Sequence, residues 1–214
     1  MFSWAIRRGR RLSGIVPLWY AGCMNALARA LETSQQHRFT LDDVLRMQEA
    51  GILGEGTRVE LVDGALVEMA SEGAQHTWAK MQIAKRLMLA AGDTVQVIVD
   101  STLRLSPTNA PDPDLYLYDA ALALVAVTGT NVGLVIEIAQ STLKYDLAFK
   151  AELYAQHGVR DYWVVDVNTE TIIAHRGLAG GVYRDVTHHS ARETLTALAL
   201  PSIALSLADL PPIR

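Results

Sequence analysis

One carboxylate stands apart from its neighbours. Glu137 sits in the run LVIEIA (134–139), among Leu134, Val135, Ile136 and Ile138. Such a near-continuous apolar run reads as a central strand buried on both faces. An ionised carboxylate there costs several kcal/mol unless a cation, a hydrogen-bond donor or water meets it. A strand-end residue whose head reaches solvent is the plain alternative. An acidic ligand or general base accounts better for the company it keeps. A second carboxylate, Asp114, follows the proline-stiffened loop 107–113 and opens the apolar run LYLY (115–118). Two carboxylates at the ends of neighbouring strands can converge on one divalent cation, and Mg²⁺ or Mn²⁺ prefers such oxygen ligands. Asp112, between Pro111 and Pro113, reads instead as a solvated loop aspartate.

Basic and polar partners come from elsewhere. Asp146, Lys150 and Tyr154 fall at i, i+4 and i+8 of LKYDLAFKAELYAQHG (143–158), so they share one face of the expected helix. A surface Asp–Lys pair worth a few tenths of a kcal/mol is the alternative. The functional reading places Lys150 near the metal, orienting a water or neutralising a phosphate. Glu60, in RVELVDG, is a further acidic candidate on one face of a strand. His76 opens a helix and reads as a residue behind the ligands rather than a ligand. His157, His188 and His189 show no metal spacing.

These residues need a scaffold. Thr40 with Asp42 and Asp43 signals a capped helix ending at Gly51. Residues 57–62 and 65–70 flank Asp63-Gly64, a strong hairpin signal. Residues 75–91 carry Trp78, Met81, Ile83, Ala84, Leu87 and Leu89 near a helical period, stopped by Gly92. Strands are expected at 94–100, 102–106, 115–118, 133–139, 161–167, 171–176 and 181–186, with a helix over 143–158 and a C-terminal strand and tail over 192–214. That order predicts an α/β (α+β) domain with a mixed sheet.

Composition excludes other classes. The 214 residues are 50% hydrophobic and 20% charged, an ordinary globular balance. A net charge of −4 argues against a protein that coats nucleic acid. The single cysteine, Cys23, rules out an intrachain disulfide and a cysteine-based zinc site, and points to a reducing, cytoplasmic setting. No run of ~20 apolar residues occurs, so no membrane span is expected. Phosphate-binding glycine loops and a nucleophile elbow are absent. A two-carboxylate glycosidase would want a sugar cleft lined by aromatics, against an aromatic content of 7%.

Residues 1–37 form an N-terminal extension ahead of a domain over 38–214. Its basic cluster Arg7, Arg8, Arg10 and Arg11, then a broken apolar stretch up to Cys23, leaves three readings open. They are a secretion or lipoprotein signal, a basic arm, or a loosely packed extension with Met24 as the natural start. The last is preferred, because Gly14 and Pro17 interrupt the apolar stretch.

The ordered set ELVDG (60–64), a helix near His76, PDL (113–115), VIEIAQSTLKYD (135–146), Lys150 and YAQHGVRDYWVVD (154–166) resembles the Uma-type family of restriction endonucleases. That family is a branch of the PD-(D/E)xK nuclease superfamily, and the likeness covers residues 38–190. The resemblance implies a restriction-endonuclease-like core: a mixed central sheet flanked by helices. It implies metal-dependent hydrolysis of phosphodiester bonds, in DNA more than RNA, with Mg²⁺ or Mn²⁺ as cofactor. Pro113 and Asp114 match the PD half and Glu137 the second acid. The lysine expected two residues later falls on Ala139, so the resemblance implies that Lys150, from the following helix, takes its place. Asp114 and Glu137 would hold the metal with the backbone carbonyl of Ile138. Glu60 would complete the acidic set, and Asp146 and Tyr154 would support Lys150. A homodimer is expected, since two cuts in a duplex need two sites. A catalytically inactive nucleic-acid-binding or assembly module on the same fold is the alternative, which Ala139 favours.

Overall fold

The computed structural model describes residues 37–54, 56–69 and 71–212. The readings that rest on Arg7, Arg8, Arg10, Arg11, Cys23 and Met24 lie outside the described residues.

The chain runs α1 (Leu41–Glu49), β1 (Val59–Val62), β2 (Ala65–Glu68), α2 (Ala74–Ala91), β3 (Val95–Val99), β4 (Leu115–Asp119) and β5 (Leu134–Ala139). A continuous helical run follows: α3 (Leu143–Tyr145), a π-helical turn (Asp146–Lys150) and α4 (Ala151–Gln156). Strands β6 (Tyr162–Asp166), β7 (Thr171–Ala179) and β8 (Val182–Ser190) come next, then the short pair β9 (Leu195–Thr196) and β10 (Ala204–Leu205).

Local chemistry sets the element ends. Thr40 accepts from the Asp43 N–H while the Asp43 carboxylate accepts from the Thr40 N–H, a reciprocal cap worth ~1 kcal/mol. Asp63 and Gly64 adopt φ of 52° and 75°, the left-handed pair that a two-residue hairpin demands. A Cβ on Gly64 would also lie 2.5 Å from Arg38 Cβ, so only glycine fits.

Six strands form one mixed sheet in the order β3-β4-β5-β6-β7-β8. Every neighbouring pair is antiparallel except β5 and β6, which are parallel. A parallel pair needs a crossover, and the helical run 143–156 supplies it. Side chains alternate across the sheet. Leu134, Ile136 and Ile138 pack with Ile83 and Leu87 of α2, whereas Val135 and Ala139 pack with Tyr154 and Ala155 of α4. Glu137 shares the face of Val135 and Ala139, so it points beneath the crossover helix. This is the mixed sheet flanked by helices that the sequence predicts.

Two expectations change. Residues 102–106 form no strand. Leu103 and Leu105 donate to the carbonyls of Pro111 and Asn109, and three prolines without N–H groups leave that loop unable to extend a ladder. In α2, Met81 and Leu89 are exposed while Lys80 is buried. The stripe that meets the sheet runs through Ala79, Lys80, Ile83, Ala84 and Leu87, and Met81 and Leu89 lie across the helix from it.

Far from the cleft, Asp161 is a structural charge, 1% exposed. It accepts from Trp163 Nε1, Arg176 Nε and Nη2, and the Leu198 N–H, and so ties β6 and β7 to the C-terminal hairpin. Removing its cation leaves a buried carboxylate uncompensated. Arg176→Ala is expected to cost ~3 kcal/mol in urea unfolding; a loss below ~1 kcal/mol would show that Asp161 needs no cation.

Candidate functional site

The β4–β5 ladder pairs Leu115 with Ile136, so its next step would set Asp114 opposite Glu137. Pro113, lacking an N–H, ends the ladder there, and side chains take over. The Asp114 N–H donates to Glu137 Oε2 at 3.3 Å, and the Ile138 N–H donates to Asp114 Oδ2 at 2.7 Å. The N–H and C=O of one strand residue face the same edge, so the Ile138 carbonyl also looks toward Asp114. The two carboxylates thus meet, with the Ile138 carbonyl on the same edge of β5.

Lys150 reaches this point from the π-helical turn. Its Nζ lies 2.5 Å from Glu60 Oε1 and 3.1 Å from Glu137 Oε1. Glu60 is delivered by the β1–β2 hairpin, which is held against the proline loop by the Asp63 N–H to Asn109 and a bridge between Leu61 and Ala110. Glu60 also accepts from the Asp112 N–H at 3.0 Å. The structure therefore brings Glu60, Asp114, Glu137 and Lys150 together, all of them buried.

Other placements are corrected. Asp146 and Lys150 are not a surface pair, since both are buried. Asp146 does not hydrogen-bond Lys150; it accepts from Thr142 Oγ1 at 2.6 Å. Tyr154 donates to Glu137 Oε1 at 2.8 Å, the oxygen that Lys150 also reaches, and the Lys150 Nζ stands 5.9 Å from the Tyr154 ring centroid, so Tyr154 adjoins both the acid and the lysine. Asp112 is half-buried rather than solvated, lines the cleft, and has its pKa raised by burial.

A second node borders the first. His76 Nε2 lies 3.2 Å from Asp114 Oδ2. Its buried Nδ1 is 3.3 Å from Glu72 Oε2 yet out of hydrogen-bond alignment, and so lacks a partner. Lys80 Nζ contacts Glu72 and Asp100 at 2.6 Å each and Asp114 at 3.4 Å. Arg58 pairs with Glu72 at 2.7 Å. Ligand atoms of Glu72, His76 and Asp114 lie within 4.8 Å of one another, close enough to share a cation. Glu72, Lys80, Asp100 and Arg58 were not singled out in the sequence. The spacing of Glu72, His76 and Lys80, four apart each time, repeats that of 146, 150 and 154 and was the available signal.

Electrostatics separate the two nodes. Burial pushes Glu137 up to about 8; Lys150 opposes this, while Asp114, Asp146 and Glu60 reinforce it. Burial likewise lifts Asp146 to about 6, against the Thr142 hydrogen bond. Lys150 moves upward, because Glu137 and Glu60 outweigh its burial. Glu72 falls to about 2: burial opposes the shift, but hydrogen bonds from Lys80 and Arg58 prevail. Glu137 thus takes up its proton at higher pH in the folded chain than in the unfolded one. In chelator, stability is expected to be greatest below about pH 4.5 from this group and to fall as pH rises toward about 8. The slope is at most on the order of 1 kcal/mol per pH unit. Unfolding free energies from pH 5 to 8.5 would check this, and Glu137→Gln should flatten the decline.

Pocket and chemistry coincide. A cleft of about 310 Å³ is lined by Glu60, Asp114, Glu137, Lys150, His76 and Tyr145, among others. No helix among the described residues is long and apolar enough to cross a membrane.

Comparisons with known proteins bear on the family and the fold. A family model, Uma2, described as "Putative restriction endonuclease", matches residues 41–208. No protein of curated function matches the chain. A solved structure described as a "putative nuclease belonging to DUF820", from Anabaena variabilis, is similar in fold at a TM-score of 0.62 and 15% identity. The alignment covers 80% of this chain and 96% of that one.

Proposed function

Because the chain belongs to the Uma2 family, "Putative restriction endonuclease", we propose that it is a divalent-metal-dependent endonuclease hydrolysing phosphodiester bonds, with DNA as substrate. The observation that carries the reading is Lys150. Position 139, where the superfamily motif wants a lysine, is alanine, yet an ammonium from the next helix stands 3.1 Å from the strand acid.

The residues fit a hard cation. Asp114, Glu137 and the Ile138 carbonyl offer oxygen donors, the set that suits Mg²⁺ or Mn²⁺. Burial holds the Glu137 carboxyl uncomfortable as an anion, and a second positive charge would relieve that. Glu72 and His76 could extend the set on the far side of Asp114, and the imidazole would favour Mn²⁺ over Mg²⁺. A bound divalent ion supplies an acidified water and polarises the phosphate.

The chain's own residues do the rest. Glu60 and Glu137 grip the Lys150 ammonium from two sides and so fix its position. Lys150 stabilises negative charge on the attacking oxygen or on the phosphoryl oxygens. Tyr154 holds Glu137 in its rotamer through the hydrogen bond to Oε1. His76 orients Asp114 through Nε2. The single cysteine fits a cytoplasmic setting, and a two-fold dimer would go with a duplex substrate, where two strands need two sites.

The test is calorimetric titration of Mn²⁺ into wild type and Asp114→Asn. Wild type is expected to bind, and the variant to lose at least ~10-fold in affinity, a ligand-level effect. A wild type that takes up no Mn²⁺ would sink the metal-dependent reading and favour a binding module without catalysis.

A further inference from the structure

Two rings that the core does not use sit at the π-helical turn, Tyr145 just before it and Phe149 within it. Tyr145 and Phe149 stack with centroids 5.0 Å apart and planes 20° apart. Both remain exposed, at 37% and 40%. Their neighbours Leu143 and Leu147 pack against the core instead. Water contact on an aromatic pair is unfavourable, so two such rings held together on the surface suit a surface that is covered in use.

Their place says what covers them. Tyr145 lines the carboxylate cleft, and the Lys150 Nζ stands 6.0 Å from its ring centroid. A phosphate held beside Lys150 carries its nucleoside one sugar away, within reach of that ring. The other lip, from the β1–β2 hairpin, presents Val67 and Met69. The cleft therefore has apolar lips above a carboxylate floor.

Charge favours the same kind of ligand. Duplex DNA is gripped mainly by lysines and arginines that neutralise phosphates. Lys150, which lines the cleft, is already held by Glu60 and Glu137, and nearby Lys80 is held by Glu72 and Asp100. Glu68, Glu72 and Asp112 add negative charge to the lining. An aromatic platform adds affinity through the face of a base, beyond what phosphate neutralisation gives, but the base must be unpaired and unstacked to offer that face.

Resting on the phosphodiesterase reading of this cleft, we propose that Tyr145 and Phe149 form a stacking platform for an unpaired nucleobase. The preferred substrate is nucleic acid that is single-stranded at the scissile phosphate.

The experiment is fluorescence anisotropy with a short labelled oligonucleotide, as single-stranded DNA, single-stranded RNA and duplex DNA. Ca²⁺ replaces Mg²⁺ to suppress cleavage. A single strand, deoxy or ribo, is expected to bind at least ~10-fold tighter than the duplex. The double variant Tyr145→Ala/Phe149→Ala should lose ~10-fold or more on the single strand. The swap Tyr145→Phe/Phe149→Tyr should retain binding, which separates lost stacking from a lost fold. In cleavage assays the alanine loss should fall on KM rather than kcat. Tighter binding of the duplex, or single-strand affinity untouched by the alanines, overturns the platform while leaving the nuclease reading intact. Failure of every probe to bind overturns both.

Discussion

Lys150→Ala is expected to lower turnover by ~10²–10³-fold, the scale of losing one charge-stabilising group in a water-poor site. Mn²⁺ affinity should hold or rise. The reason is the pairing: Glu60 and Glu137 both touch the same ammonium. Without it, two buried carboxylates face each other with no resident cation, and a divalent ion gains what the lysine gave up. The same change should destabilise the chelated protein by ~3 kcal/mol or more, as removal of one partner of a buried pair does. Mn²⁺ should then raise the melting temperature of the variant by more than that of wild type, because binding to the native state alone stabilises it. Single-turnover cleavage, calorimetry and melting with and without Mn²⁺ check the three parts. A loss of Mn²⁺ affinity matching the loss of turnover would remove Lys150 from its proposed role.

Glu137→Gln is expected to lower metal-dependent cleavage by at least ~10³-fold, because it removes one carboxylate that would hold the ion. The choice of glutamine matters. Glu137→Ala would also strip the Tyr154 hydroxyl and the Asp114 N–H of their acceptor, each an unsatisfied buried donor costing ~1–3 kcal/mol. Glutamine keeps one acceptor oxygen for the Tyr154 hydroxyl and sets its amide N–H₂ only against the Asp114 N–H, while Lys150 retains Glu60. The fold should therefore survive, with a smaller loss of stability than Glu137→Ala suffers. Wild-type cleavage by Glu137→Gln would mean that the acid is structural and the site lies elsewhere.

Part of this site was legible in the residues and part was not. Glu137 announced itself because a carboxylate inside LVIEIA conflicts with every neighbour. Asp114 did so because a proline-stiff loop delivers it to the mouth of the next strand. Asp112 was misjudged: flanking prolines suggested exposure, but the β1–β2 hairpin folds over that loop and half-buries it. Lys80 carries no local sign that it is buried. The stripe that meets the sheet includes it, and its ammonium is supported by Glu72, Asp100 and Asp114. The strand expected at 102–106 failed because an alternating pattern cannot pair without a ladder partner, and the partner loop is rich in proline.

The sequence by itself determined the local periods: β5 as a strand buried on both faces, the capped first helix and the hairpin at Asp63-Gly64. These follow from side-chain alternation, capping and turn chemistry, which act over a few residues. Only the tertiary structure decided which cation meets which carboxylate. Lys150 and Glu60 are 90 residues apart, and Lys80 and Asp114 belong to different elements. Long, flexible side chains such as lysine find their partners where strands and helices cross. No local spacing encodes that crossing, because it is set by how the hairpin, the sheet and the crossover helix pack on one another.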